Sequence, residues 1–239
     1  MKLDRIFYSS AGVLFLLLML VGFRHFIGAG AHVDGSPIDP AIRWLVVLHG
    51  TAIAAWFVLF FVQGLLISVR NRKLHMKLGW SVLVIGTTIT CTGALVAIRS
   101  VQVTPADFRF FNMDYRRFLL VMLTEIALFT VFVTTGVLAR KRPKVHRPMM
   151  LMAGLAILAG ATARIPFFWS VFGQNGWVGL FGPVFCLGAA LLLARYAMTR
   201  SLDRWFAAGY AVLIIAYIVS EKLSLTNLWM DWASTILKL

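Results

Sequence analysis

Three ionisable side chains fall inside otherwise apolar runs: His49, Glu125 and Arg164. Each lies about seven or eight residues from one end of its run, a depth of roughly 10–12 Å at helical rise. Charge is costly in hydrocarbon, so such groups are expected to face the interior of a helix bundle with a partner. A carboxylate and a guanidinium recover lost solvation only by pairing, which predicts a Glu125–Arg164 ion pair with the His49 imidazole beside it. Cys91, flanked by Thr88, Thr90 and Thr92, reaches a similar level, and Pro166 is expected to kink the run that carries Arg164. A second pair, His75 and His146, opens two further runs among lysines and arginines, where an imidazole sits at headgroup depth near anionic lipid. His25 and His32 read as solvated loop or helix-end residues.

This set suits four kinds of chemistry. A b-type haem needs imidazoles at one depth with arginines near its propionates. His49 is then the expected metal ligand, with His25 or His32 and Arg164 or Arg43 around it, or else His75 with His146. A quinone would use His49 and Glu125 for its oxygens and the aromatic runs for its tail. An accessory or assembly subunit of a larger membrane complex would use none of this chemically, and the Glu–Arg pair would be a structural staple. A metal hydrolase ranks last, because His49 and Glu125 supply only two ligands and no HExxH, Cys-x-x-Cys or Gly-rich phosphate motif is present.

The elements that must position these residues are transmembrane helices. The chain has 239 residues, 60% of them hydrophobic, and a mean hydropathy of +0.85, far from a soluble domain. The net charge of +14 lies in short clusters between apolar runs, which reads as topology signal and excludes nucleic acid as partner. Cys91 and Cys186 both fall within spans, so no disulfide framework is implied. An all-α, polytopic fold of seven transmembrane helices is expected, roughly 6–27, 42–69, 77–99, 117–139, 148–171, 176–198 and 205–226. The first run, although preceded by Lys2 and Arg5 and followed by Ala29-Gly30-Ala31 as in a signal peptide, is taken as a helix. Basic clusters at 70–77, 140–147 and 195–204 share a side with Lys2 and Arg5, whereas Asp34, Asp39, Asp107, Asp114, Glu221, Asp231 and fewer basic residues, Lys222 and Lys238 among them, fall opposite. This bias puts the N-terminus in the cytoplasm and the C-terminus outside a bacterial inner membrane. Residues 28–41 and 100–116 become outer loops, and 227–239 an outer amphipathic tail. On the second helix, His49, Ala52, Trp56, Gln63, Gly64 and Arg70 share one face, with Thr51, Val58, Phe61 and Leu65 turned away.

Three pieces of sequence carry a resemblance: His49-Gly50 leading to Gln63 and Arg70, His75 leading to Leu78-Gly79, and His146-Arg147-Pro148-Met149 leading to Arg164. In these the chain resembles a group of predicted bacterial multi-helix membrane proteins of unknown function. The first two pieces are also similar to the helix pairs of transmembrane b-type cytochromes, which implies haem ligation by membrane histidines. The chain differs from those cytochromes in lacking a second deep histidine on each face.

Overall fold

A computed structural model describes residues 2–32, 35–105 and 107–237. Asp34 and Lys238, used above for orientation, lie outside the described residues, as does the side chain of Lys2. Among the described residues, seven helices are long and apolar enough to cross a membrane. In chain order the elements are α1 (Lys2–Gly22), α2 (Arg24–Ala29), α3 (Arg43–Ser68), α4 (Arg72–Gly79), α5 (Ser81–Val103), β1 (Arg109–Phe110), β2 (Met113–Asp114) and α6 (Tyr115–Leu138). Then follow α7 (Pro143–Ala156), α8 (Ala159–Thr162), α9 (Pro166–Phe172), α10 (Gly176–Thr199), α11 (Arg204–Ser224) and α12 (Asn227–Ile236). One end of the bundle carries the N-terminus and the other the β1–β2 hairpin; they are called here the N-terminal face and the hairpin face.

The central element is the fifth span, α7 with α8. It is 78% buried, against 22–39% for the other six, and it touches α1, α3, α6, α10 and α11. Its sequence explains the position, because LMAGLAILAGATA presents small residues that let neighbouring backbones approach, the main source of helix association in lipid. A Cβ on Gly22 of α1 would come within 2.3 Å of the Ala161 carbonyl oxygen. Only glycine permits that crossing.

Helix ends differ from the expected ones where capping overrides composition. The third span begins at Arg72 and continues through α5 for 32 residues. Arg70 turns the chain in the left-handed region (φ 63°), and the Asn71 side chain then accepts the Leu74 amide at 3.1 Å, an N-cap that starts the helix within the basic cluster. Likewise Pro143 opens α7 at a position where its missing N–H costs nothing. His75 and His146 therefore stand about a turn inside their helices.

Both faces are closed by specific contacts. On the N-terminal face Asp4 pairs with Arg147 at 3.1 Å and with Arg195, and Arg195 Nε lies 3.7 Å from Asp203. On the hairpin face β1 and β2 pair Arg109 with Asp114 and Phe110 with Met113. Phe111 and Asn112, both left-handed (φ 49° and 58°), make the tight turn that matches strand twist. The Phe111 carbonyl accepts the Gly176 amide at 2.6 Å, fastening the hairpin to the start of α10. The tail is a helix, α12, held to α6 by Trp229 Nε1 donating to the Arg116 carbonyl at 2.9 Å.

Candidate functional site

The fifth span is broken twice, and the breaks build the site. α7 stops at Ala156, α8 runs only from Ala159 to Thr162, and Ile165 is extended (φ −102°, ψ 113°) before Pro166 opens α9. A single kink at Pro166 was expected; the additional interruption at Ile157–Leu158 has no proline to mark it. Carbonyls released by interruptions must find donors, since lipid offers none. Three side chains supply them. Tyr217 of α11 donates its hydroxyl to Ala156 at 2.9 Å, and Trp169 of α9 donates Nε1 to Ala163 at 2.9 Å. The Arg164 amide bonds to Ala161, and the Arg164 guanidinium turns back to bond to the Gly160 carbonyl.

That backward turn decides the geometry around Glu125. Arg164 and Glu125 act on each other electrostatically, but no ion pair joins them within 4.0 Å. The expected direct pair is an open one, because the guanidinium is engaged with its own broken helix and lies 5.1 Å over the Phe23 ring. Glu125 has no hydrogen-bond partner among the described residues, yet its oxygens are not sealed by packing, and the residue is half-buried. The hydroxyl-bearing Tyr115 lies within electrostatic reach of Arg164, and Tyr217 within reach of Glu125. An acid and a base thus lie within electrostatic reach of each other without a direct contact.

His49 sits on the next seam, between α3 and α5. Its Nδ1 lies 3.0 Å from Thr92 Oγ1, and the Thr92 hydroxyl donates to the Thr88 carbonyl at 2.5 Å. Because the threonine proton is committed, the histidine donates, so Nδ1 carries the hydrogen and Nε2 a free lone pair. Gly93 makes room: a Cβ there would lie 2.9 Å from His49 Cε1 and 2.4 Å from Ile126 Cδ1. Ile126 follows Glu125, yet no electrostatic contact links His49 with Glu125 or Arg164. The structure brings Glu125 and Arg164 together and leaves His49 on an adjoining surface. A cleft of about 340 Å³ between α3 and α5, lined by Leu45, Leu95, Arg99 and Gln102 among others, opens at the hairpin face about one turn beyond His49. Cys91 is exposed and takes no part, while Thr90 bonds to Thr130 of α6 at 2.9 Å. His32 is exposed and His25 half-buried on α2.

Nearer the N-terminal face, His75 and His146 lie within electrostatic reach of each other. His146 Nδ1 meets the Gly136 carbonyl at 2.8 Å. His75 approaches the backbone of Gln63, while its Nδ1 is sealed and unpartnered. The same is true of both side-chain polar atoms of Gln63 and of Trp56 Nε1. Sequence reasoning placed Trp56 and Gln63 on the inward face of α3 but did not foresee that they would lack partners; their polar atoms on an apolar helix were the available signal. Tyr217 and Trp169 were missed as carbonyl donors because nothing local marks that role. No three His, Cys, Asp or Glu side chains converge as a metal cluster among the described residues. No protein-family model, curated protein or solved structure matches this chain.

Proposed function

We propose that this multi-pass protein is a redox protein of the bacterial inner membrane, oriented with its N-terminus in the cytoplasm and its hairpin face outside, which binds a quinone between Glu125 and Arg164. One observation carries the reading: an acid and a base within electrostatic reach are held apart at a broken central helix, the acid without a hydrogen-bond partner among the described residues. A carboxylate without a partner within a membrane-spanning helix is costly, and such a group with a guanidinium more than 4.0 Å away is the arrangement a ligand with two opposed oxygens would complete. In that role Arg164 donates to one quinone oxygen and offsets negative charge developing on it. On the other side Glu125 would accept a hydrogen bond from the hydroxyl of the reduced form. Tyr115 and Tyr217 hold the surroundings polar.

A haem b is the second reading, favoured by the free Nε2 lone pair of His49, the nitrogen that would ligate iron. His75 and His146 remain as the other imidazole pair for such a group.

Tryptophan fluorescence of the purified protein, titrated with a short-chain quinone analogue, tests the proposal, together with a lipid extract assayed for native quinone. Saturable binding is expected, weakened about tenfold or more by Glu125→Gln and by Arg164→Met, as for loss of a charge-assisted hydrogen bond. A Soret band that disappears in His49→Ala sustains the haem reading. Neither quinone nor haem would leave the protein as an accessory or assembly subunit of a larger complex.

A further inference from the structure

Two membrane-spanning segments start beside each other at the N-terminal face, one with α7 at Pro143 and one with α11 at Arg204. Between their first turns lies an open recess of about 470 Å³, lined by Arg142, Pro143, Lys144 and Val145 from the first and by Trp205 from the second. The backbone of Arg142 is fixed from both sides. Its amide donates to the Ala139 carbonyl at 2.7 Å, its carbonyl accepts the Val145 and His146 amides at 2.9 and 3.0 Å, and the proline that follows restricts its dihedrals. Arg142 and Lys144 are both exposed, so two cationic side chains stand on a rigid turn. The rest of the lining is apolar: the Pro143 ring, Val145 and the exposed Trp205 indole.

The protein does not balance this charge. The two acids of the face are engaged elsewhere, Asp4 with Arg147 and Arg195, and Asp203 with Arg195 and the Phe206 amide. Among the described residues, the side chains of Arg142 and Lys144 have no hydrogen bond and no carboxylate within 4.0 Å. Charge complementarity therefore calls for an anionic occupant. The occupant must also be amphiphilic. From Trp205 an exposed apolar stripe runs along α11 through Ala208, Val212, Ile215 and Val219, three and four residues apart and so on one face. A soluble anion would use the cations and leave the stripe bare, and a zwitterionic lipid would bring its own ammonium to two fixed cations. Basic pockets beside membrane helices suit anionic head groups, and tryptophan favours the headgroup level. We propose that the recess binds one anionic phospholipid, its phosphate held by Arg142 and Lys144 and one acyl chain lying along α11 from Trp205 onward.

Titration of the detergent-solubilised protein with phosphatidylglycerol carrying brominated chains, in parallel with brominated phosphatidylcholine, tests this by tryptophan quenching. Subtracting the signal of Trp205→Phe isolates Trp205. Saturable quenching is expected from the anionic lipid, at concentrations about tenfold below those the zwitterionic lipid needs. Arg142→Ala and Lys144→Ala should each weaken binding about fivefold, as for one basic residue at an anionic lipid surface. Arg72→Ala combined with Lys73→Ala, exposed on the same face but outside the recess, should change it less than about twofold. All four side chains are exposed, and thermal unfolding of each variant checks that the fold is kept. Glycerol phosphate, a head group without chains, should not displace the lipid. Equal quenching of Trp205 by the two lipids, or displacement by glycerol phosphate as readily as by unlabelled phosphatidylglycerol, would overturn the proposal. So would an equal loss from the pair outside the recess, since the attraction would then belong to the whole face.

Discussion

At the N-terminal face Asp4 lies between Arg147 and Arg195, and Arg195 reaches on to Asp203 while stacking over Phe7 and Tyr8. Deeper in the bundle Glu125 and Arg164 stand more than 4.0 Å apart, and Glu125 has no hydrogen-bond partner among the described residues. The same residue types are thus used in two ways. In the first region every acid is met by a base, and the contacts tie α1 to α7, to α10 and to the connection into α11. In the second, the base is diverted to a carbonyl of its own broken helix and the acid is left open. Where charge closes the structure it is paired; at the broken helix the acid is left without a partner among the described residues, at a cost in an apolar setting.

Substitutions can break this contrast in order of effect. Asp4→Asn should be the most damaging, because it leaves the largely buried Arg195 and Arg147 facing each other without the acid between them; about 3 kcal/mol of stability is expected to go. Denaturation of the detergent-solubilised protein measures it. A loss under about 1 kcal/mol, typical of exposed pairs, would show that the network is a surface ornament and the contrast with Glu125 false. Tyr217→Phe should have an intermediate effect. It removes one hydroxyl from a residue 1% exposed and stacked on Phe181 at 3.9 Å, leaving the Ala156 carbonyl without its donor. About 1–2 kcal/mol is expected from the unsatisfied carbonyl. Quinone affinity should also fall, since the break then loses its anchor to α11.

The contrast was only half legible in the sequence. The inward stripe on α3 was readable in part from helical phase: Ala52 and Trp56 are buried, and Thr51, Val58 and Leu65 are exposed, whereas Arg70 lies beyond α3 and is exposed, and Phe61, read as turned away, is half-buried with its backbone close to Gly12 of α1. That Glu125 and Arg164 would come within electrostatic reach followed from counting residues along apolar runs; that His49 would stand apart from them did not. What counting could not show was the interruption at Ile157–Leu158, which sits in a uniformly apolar run without proline. It is stabilised by Tyr217, some sixty residues on, and by an arginine that prefers a local carbonyl to a distant acid. Nor could it show that His75 lies a turn inside a helix. The basic cluster there reads as a loop, and the helix start depends on one cap, Asn71, and one left-handed residue, Arg70.

Glu125→Gln sharpens the comparison most because its expected effect on stability is the smallest. If the carboxylate were half of a closed ion pair, its removal would strand Arg164 and cost as much as Asp4→Asn. Arg164, however, already donates to Gly160 and lies over Phe23, so the guanidinium keeps its main contacts when the acid becomes an amide. The amide also carries no charge to hold in a low-dielectric interior, which offsets part of the lost attraction. A change within about 1 kcal/mol is expected, with a coupling to Arg164→Met in a double-mutant cycle of similar size, well below that between Asp4 and Arg195. Ligand affinity should move the other way, falling by far more than stability does. A coupling of 3 kcal/mol or more would mean that the pair closes in the membrane, and the space between the two groups would then no longer be a binding site.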